Sequence, residues 1–324
     1  MILGLIEHEQ GKLNELSLEM LTLARVLAGQ LGQPLHALVI GRLGEPLVER
    51  LAAYGVSAVH LVGDERLDDF IPAAWAACAV QSAQALEPEA VLAAGSDRGN
   101  EWLAHVAAQA GLPMAANCVE VTPGEAYQVT RVRWGGSLLE EARIIGAPKL
   151  LTIAPHALPA AEAPAAGDME RHAFAPVLGE EHFRVRVVSR TAPGAGKVSL
   201  AEARVVVGGG RGVGSAEGFQ KLEELAGLLG GTVGCSRAVT SLGWRPHLDQ
   251  VGQTGTRIAP DIYIACGISG AIQHMVGCKA ARRLLAINTD PDSPIVAQAD
   301  YAIIGDLHQV VPAISATLRQ ARGG

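Results

Sequence analysis

The first half of the chain alternates short apolar runs with amphipathic stretches, and this alternation restricts the possible folds more than any other feature. Leucines and alanines recur every three or four residues from Leu16 to Leu31, which predicts a helix. Similar patterns predict helices at residues 46–54, 71–86 and 99–111, and strands at residues 2–7, 35–40, 59–62 and 90–94. Apolar strands separated by helices indicate an α/β fold whose mainly parallel sheet is covered on both faces.

The middle of the chain departs from this pattern. Residues 119–153 contain strand patterns broken by turns, and residues 156–179 are rich in alanine and proline, as is typical of a surface connection. A strand is predicted at residues 183–188, and the run 191–196, which contains proline and glycine, marks a domain boundary. We therefore expect one domain at residues 1–190, a linker at 191–200 and a second domain at 201–324.

The second half returns to α/β alternation. Strands are predicted at residues 204–207, 232–235, 262–266, 284–287 and 301–304, and helices at 216–229 and 307–319. The sequence as a whole therefore predicts two tandem α/β domains with mainly parallel sheets.

Composition and charge argue against several classes of function. The 324 residues carry a net charge of −7, which disfavours nucleic acid or an anionic membrane as the main partner. No apolar run approaches the length of about 18 residues that spans a bilayer, and the apolar start lacks the basic region of a signal peptide. The five cysteines are scattered and form no CxxC pair, so we expect a cytoplasmic protein without disulfides or a bound metal.

A glycine-rich turn is the first candidate for a binding element. Residues 208–215 read GGGRGVGS between a predicted strand and a predicted helix. Such a turn lets backbone N–H groups approach a phosphate, although a tight turn without a ligand has the same pattern. The next strand ends in Cys235-Ser236-Arg237, with no acidic residue for an NAD ribose, and no Gly-Lys-Ser/Thr sequence occurs. An ordinary NAD site and a P-loop are both disfavoured.

Polar or glycine-rich segments stand beside the other strands of the second half. Residues 250–255 read QVGQTG, and residues 267–274 read GISGAIQH. Asn288 ends a strand, and Asp306 precedes the last helix, where a capping role is an equally good interpretation. A polar hairpin or a packed histidine would explain each of the two segments taken alone. Because parallel strands end at one edge of a sheet, we expect these segments together to form a ligand site.

Together these segments resemble the FAD-binding domain of the electron-transfer flavoprotein alpha subunit. The matching motifs are GGGRG at 208–212, GCSRA at 234–238, QVGQTG at 250–255, APDIYIA at 259–265, GISGAIQH at 267–274, AIN at 286–288 and ADY at 299–301. The N-terminal half is similar more loosely, through Glu7-His8 and Gly11-Lys12-Leu13. The resemblance implies that the C-terminal domain is a Rossmann-like FAD-binding domain.

The resemblance also implies a set of FAD-contacting residues. These are Arg211, Ser236, Arg237, Val251, Gly252, Gln253, Thr254, Ser269, Gly270, Ala271, Ile272, Gln273, His274, Asn288, Asp306 and Leu307. Arg237 is expected beside the isoalloxazine ring, Thr254 near N5, and His274 near N1 and the C2 carbonyl. A cation at Arg237 and a donor at His274 would stabilise negative charge on the reduced flavin. No residue is expected to make or break a substrate bond, which indicates an electron carrier and not an enzyme.

Partners follow from the same resemblance. It implies a heterodimer with a beta subunit that holds AMP and docks on residues 1–190. Flavin dehydrogenases of acyl-CoA or N-methyl amines would donate electrons, and a membrane quinone oxidoreductase would accept them.

Two alternatives stay open. One is a bifurcating member of the family that uses NADH and a second FAD in the beta subunit. The other is a regulatory module that binds an adenine nucleotide without redox chemistry. The polar pairs Gln253-Thr254 and Gln273-His274 argue against the second alternative, since they suit a flavin ring better than a phosphate tail.

Overall fold

The chain divides into two compact units, Met1–Arg190 and Thr191–Gly324. A computed structural model describes residues 1–136, 138–164, 169–189, 199–201 and 203–322. Most of the linker expected at residues 191–200 lies outside the described residues.

The first unit is built on a nine-stranded sheet within its described residues. The strands of the unit are β1 (Ile2–Leu5), β2 (His8–Glu9), β3 (Lys12–Leu13), β4 (Leu35–Ile40), β5 (Ala58–Val62), β6 (Ala90–Ala94), β7 (Met114–Thr122), β8 (Tyr127–Arg133), β9 (Leu138–Ile144), β10 (Lys149–Ile153) and β11 (Glu170–Ala173). Among the described residues, strands β2 and β3 pair only with each other and form a small separate ribbon. The sheet order is β11-β5-β4-β1-β6-β10-β7-β8-β9. All neighbours are parallel except in the β7-β8-β9 meander, which is antiparallel.

Helices cover both faces of this sheet. They are α1 (Glu15–Leu31), α2 (Val48–Ala52), α3 (Pro72–Leu86) and α4 (Asp97–Ala110). Because side chains alternate along a strand, Ile2 packs in the core beneath α1, whereas Leu3 packs in the core beneath α3 and α4. In the second core the rings of Trp75 and Trp102 lie 5.0 Å apart, edge to face.

Three local expectations for the first unit are wrong. The surface connection at residues 156–179 contains β11, which adds to the edge of β5 with Glu170 opposite Ala58. All four residues of β11 are exposed, so no apolar pattern indicated a strand there.

The strand expected at 183–188 does not form. A single 3-10 turn spans Glu180–Phe183, and Val185 and Val188 are exposed, because a strand needs a partner edge and a surface to pack against. The helix expected at 46–54 is reduced to α2 after a 3-10 stretch, Arg42–Leu47.

The second unit is a five-stranded, fully parallel sheet within its described residues. Its elements are β12 (Val205–Gly209), α5 (Phe219–Leu229), β13 (Thr232–Cys235), α6 (Arg237–Ser241), β14 (Ile262–Cys266), α7 (Ile272–Cys278), β15 (Leu284–Asn288), α8 (Pro294–Gln298), β16 (Tyr301–Ile304) and α9 (Leu307–Arg322). The prediction of an α/β chain with mainly parallel sheets is confirmed.

The strand order of this sheet determines where a ligand can bind. The order is β13-β12-β14-β15-β16, so the chain runs from β12 first to one side and then to the other. In open parallel sheets the crevice at such a switch, outside the carboxyl ends of the strands, is the usual ligand site. Helices α5 and α9 cover one face of the sheet, with Phe219 and Val311 buried, and α7 and α8 cover the other, with Cys278 and Ile295 buried. Among the described residues of the whole chain, no helix combines the length and apolarity needed to cross a membrane.

Candidate functional site

A cleft of about 690 Å³ lies at the carboxyl edge of the second sheet. Segments that follow all five strands line it: Gly212 after β12, Ser236 after β13, Ile268 after β14, Thr289 after β15 and Gly305 after β16. Its size falls within the range of about 300–1,000 Å³ that is usual for small-molecule and cofactor sites. The strand ends that the sequence singled out therefore do meet in one place.

The cleft gathers all but two of the expected ligand residues. Those in its wall are Arg211, Ser236, Arg237, Val251, Gly252, Gln253, Thr254, Ser269, Ala271, Gln273, His274, Asn288, Asp306 and Leu307. Ile272 is outside the lining and is 72% exposed on α7. Gly270 is also outside it. Gly270 has φ +82°, and a Cβ there would overlap the backbone nitrogen of Ile295, so this glycine lets the turn pack on α8.

The glycine-rich turn after β12 crosses the turn after β14 at very short range. The N–H of Gly210 donates to the Cys266 carbonyl at 2.9 Å, and the N–H of Gly212 donates to the Gly267 carbonyl at 3.1 Å. A Cβ at Gly210 would overlap the Gly267 carbonyl oxygen. The glycines at these positions are thus needed for the close approach of two turns, and this crossing forms one wall of the cleft.

The segment at residues 250–255 packs against α7. The N–H of Gln253 donates to the Gln273 carbonyl at 2.7 Å, and a Cβ at Gly277 would overlap the backbone of Gly252. The buried side chain of Gln250 donates from Nε2 to the Thr254 hydroxyl oxygen at 2.9 Å. Thr254 itself is exposed to the cleft. Gln250 was not among the expected ligand residues, although it is the first residue of the QVGQTG segment that the sequence singled out.

His274 is buried in α7 beside the cleft and is 7% exposed. Its Nε2 lies 2.8 Å from the hydroxyl of Tyr263, a residue of β14 that is completely buried. Burial lowers the pKa of His274 to about 4, against the opposing effect of the Val251 carbonyl. The imidazole is therefore neutral at pH 7. Its Nδ1 is buried and makes no hydrogen bond of normal geometry among the described residues, so the contact of the ring with the Val251 carbonyl is a weak one.

Asn288 and Asp306 both hold turns in place. The amide of Asn288 donates from Nδ2 to the Ile268 carbonyl at 2.9 Å and accepts from the N–H of Asp290 at 3.1 Å. A carboxylate oxygen of Asp306 accepts from the N–H of His308 at 2.8 Å, which caps α9. The capping interpretation of Asp306 is thus correct for this contact, and the same residue lines the cleft.

Charge in the cleft is mixed. Arg211 and Arg237 face it from two different turns, and Asp290 and Asp306 line it as well. Arg237 is exposed, and within the described part of the chain it makes no ion pair. The cleft can therefore accept a ligand that carries negative charge at more than one point.

The chemistry of the cleft favours holding a ligand over breaking bonds in it. Cys235 and Cys266 end two of its strands, but burial raises the pKa of each thiol to about 12, so neither is a thiolate nucleophile at pH 7. No group of His, Cys, Asp and Glu in the described ranges could hold a metal ion. Besides His274 Nδ1, the buried hydroxyl of Ser293 makes no hydrogen bond within the described part of the chain, and Ser293 lines the cleft. A large organic ligand with several hydrogen-bonding atoms fits these residues, and FAD is such a ligand.

Comparison with known families finds two domain models along the chain. The model of the electron transfer flavoprotein domain matches residues 2–177. The model of the electron transfer flavoprotein FAD-binding domain matches residues 199–279, which include much of the cleft wall.

Curated relatives match over nearly the whole chain. An electron transfer flavoprotein subunit alpha from Thermoanaerobacterium thermosaccharolyticum is 33% identical, covering 98% of this chain and 97% of the relative. The subunit alpha from Megasphaera elsdenii is 34% identical, covering 98% and 96%. The subunit alpha from Mycobacterium tuberculosis strain H37Rv is 36% identical, covering 99% of each chain.

Proposed function

The chain belongs to the electron transfer flavoprotein alpha-subunit family, and we propose that it binds one FAD in the cleft of its second unit and serves as an electron carrier. The observation that carries this proposal is the convergence of segments after all five strands on one cleft of about 690 Å³. The match of residues 199–279 to the family's FAD-binding domain supports it.

Different segments of the second unit would contact different parts of the cofactor. The crossing of the Gly210 and Gly267 turns would form one wall, and the 250–255 segment, fixed on α7, would present Thr254 toward flavin N5. His274 would meet the N1 and C2-carbonyl edge as a neutral group. Bound FAD supplies the capacity to take up and release electrons. The exposed guanidinium of Arg237, near the flavin ring, would stabilise negative charge on the reduced flavin.

Membership in this family implies a beta subunit as partner, and we place its docking surface on the first unit. Apolar side chains exposed on the β8–β9 hairpin and just after it support this placement: Leu138 is 54% exposed, Leu139 70% and Ile145 67%. Large exposed apolar surface marks protein interaction sites. AMP would bind in the beta subunit, as the family resemblance implies. The complex would work in the cytoplasm.

Electron donors and the acceptor complete the proposal. Flavin dehydrogenases that oxidise acyl-CoA or N-methyl amines would reduce the bound FAD, and a membrane quinone oxidoreductase would reoxidise it. The two cysteines that end strands of the cleft stay protonated at pH 7, which supports a carrier that makes no substrate bond of its own.

The visible absorption spectrum of the chain co-purified with its beta subunit tests the proposal. We expect a flavin spectrum, and we expect heat to release FAD at one equivalent per complex, together with AMP. A colourless complex that releases only adenine nucleotide would contradict the carrier and favour the regulatory module. Two equivalents of FAD that NADH reduces would instead indicate a bifurcating member of the family.

A further inference from the structure

Tyr263 carries a buried hydroxyl group that forms a hydrogen bond with His274. It lies on β14, on the face of the sheet that α7 and α8 cover, and it is 0% exposed. Its oxygen lies 2.8 Å from Nε2 of His274. A Cβ at Gly208 on the neighbouring strand β12 would overlap this oxygen, so the glycine makes room for the hydroxyl. Tyr263 was part of a matching motif, but it was not among the expected ligand residues.

The direction of this hydrogen bond follows from the surroundings. Burial raises the pKa of Tyr263 well above 10, so the hydroxyl keeps its proton. Within the described residues, His274 is the hydrogen-bond partner of this hydroxyl. If Nε2 donated instead, the hydroxyl proton would be buried without an acceptor, whereas a proton on Nδ1 can be accepted by a ligand in the cleft that His274 lines. The hydroxyl therefore donates, and Nε2 of the imidazole accepts.

This direction settles where the imidazole proton resides. A neutral imidazole carries one N–H, and an Nε2 that accepts a hydrogen bond leaves that proton on Nδ1. Nδ1 is buried and makes no hydrogen bond of normal geometry among the described residues; the Val251 carbonyl is near enough to the ring to oppose the lowering of its pKa, and His274 lines the cleft. An unsatisfied buried N–H calls for an acceptor, and a ligand in the cleft can supply one.

We propose that Tyr263 is a positioning residue that fixes His274 in the Nδ1–H tautomer, so that His274 meets the flavin as a neutral hydrogen-bond donor. The proposal rests on the proposed function, because it takes the ligand of the cleft to be FAD. Donation by a neutral imidazole stabilises negative charge on the reduced flavin without adding a second cation to the exposed Arg237. Without the Tyr263 hydroxyl, the imidazole proton can sit on either nitrogen, and the donor is present only part of the time.

The test uses the complete chain in complex with its beta subunit, with histidine labelled by ¹⁵N. The ring nitrogen signals report the tautomer, and loss of a signal set in His274→Ala assigns His274. We expect a single Nδ1–H tautomer in the parent complex and a mixture of tautomers in Tyr263→Phe. In a redox titration, Tyr263→Phe should lower the equilibrium constant for the first electron about tenfold, which is about 59 mV.

Two controls separate positioning from a general effect on the core. Tyr127→Phe removes the hydroxyl of another completely buried tyrosine, in the first unit, and should leave the flavin potential unchanged. In a His274→Ala background, Tyr263→Phe should have no further effect on the potential, because the two residues act as one unit.

Several outcomes would overturn the proposal. One is a Tyr263→Phe complex that binds FAD fully and keeps both the Nδ1–H tautomer and the potential; the FAD site would still stand. Another is an equal drop in potential with and without His274. A parent complex that holds no FAD would overturn the proposed function itself and, with it, the role assigned to His274.

Discussion

The two units of this chain place polar residues at the carboxyl edge of a parallel sheet in different ways. In the first unit several of these residues bind one another: Glu7 accepts from the side chains of Asn14 and Ser96, and Thr152 donates to Asn100 at 2.7 Å. In the second unit an open cleft remains, with His274 Nδ1 and the Ser293 hydroxyl unpaired at its wall. The location in the fold is the same. Unpaired buried groups occur in both units, since Nδ1 of His8 at the same edge of the first sheet also lacks a partner among the described residues. What marks the second unit as a binding site is the open cleft that such groups border.

Crowding substitutions at corresponding glycines provide the strongest test of this comparison. A Cβ at Gly210 would overlap a backbone oxygen in the cleft wall, and a Cβ at Gly99 would overlap the Ala94 carbonyl at the end of β6. We expect Gly210→Ala and Gly99→Ala each to destabilise the protein by about 1–3 kcal/mol. FAD affinity should fall at least about tenfold, or about 1.4 kcal/mol, in Gly210→Ala alone.

Denaturation curves and FAD content measure the two effects. Gly227→Ala is the matched control, because nothing lies within 4 Å of its added Cβ in α5, and alanine there should add about 0.5–1 kcal/mol of stability. Equal loss of FAD from Gly99→Ala would show that the cleft does not belong to the second unit alone.

Acid should weaken both units through buried neutral histidines. Burial, with smaller effects from His36 and His172, lowers the pKa of His60 from 6.5 to about 4. The unfolded chain thus takes up a proton on this residue before the folded chain does. The stability that follows from this shift is complete above pH 6.5 and is lost as pH falls toward 4.

The pH dependence of unfolding can be assigned to the first unit by substitution. His60→Asn should flatten the decline in the denaturation midpoint between about pH 6.5 and about pH 4. His105→Asn changes an exposed histidine of α4 and should leave the decline as it is. An unchanged decline in His60→Asn would refute the role of His60. His274, whose pKa is also lowered to about 4, contributes with the same sign in the second unit.

The flavin potential reports on the charge in the cleft. Arg237→Ala should lower the equilibrium constant for reduction of bound FAD about tenfold, or about 59 mV for one electron, because a cation that stabilises the reduced form is lost. Arg283→Ala is the control, since this arginine pairs with Asp300 at 3.0 Å and is not in the cleft wall. A redox titration of Arg237→Ala that matches the parent would exclude a role for this residue.

The smallest change in FAD affinity is expected at Ile272, a predicted ligand residue that does not line the cleft. Ile272 is 72% exposed and lies outside the lining, so Ile272→Ala should change FAD affinity by less than about twofold. Leu307 lines the cleft and is 5% exposed, and Leu307→Ala should weaken binding more. Equilibrium titration of both variants with FAD ranks them, and the reverse order would place Ile272 in the site.

The fold was predictable wherever a strand or helix has an apolar face. Short apolar runs indicated β4 and β14 closely, and helical spacing indicated α1, because burial requires those patterns. They failed at β11, which holds its place through backbone pairing to β5 and has only exposed side chains. They also failed at residues 183–188, where an alternating pattern exists but the segment pairs with no strand among the described residues.

The site residues that follow the strands were predictable, whereas the buried polar residues that support them were much less so. Glycine and polar residues after each strand indicated the cleft, since packing alone does not call for them. Gln250 and Tyr263 were missed because the role of a buried polar side chain depends on its hydrogen-bond partner, which is Thr254 for Gln250 and His274 for Tyr263. His274 follows Tyr263 by 11 residues, so no local sequence pattern shows that the two side chains meet.

Strand β11 has a consequence for how this protein behaves in solution. It covers β5, whose residues Val59 and Val62 are buried and whose unpaired edge would otherwise offer backbone donors and acceptors to another chain. The covering strand reads Glu-Arg-His-Ala, and charged side chains on an edge strand discourage further pairing. A segment with no apolar pattern thus protects the sheet from aggregation, and its deletion would leave the edge of β5 free to pair with another chain.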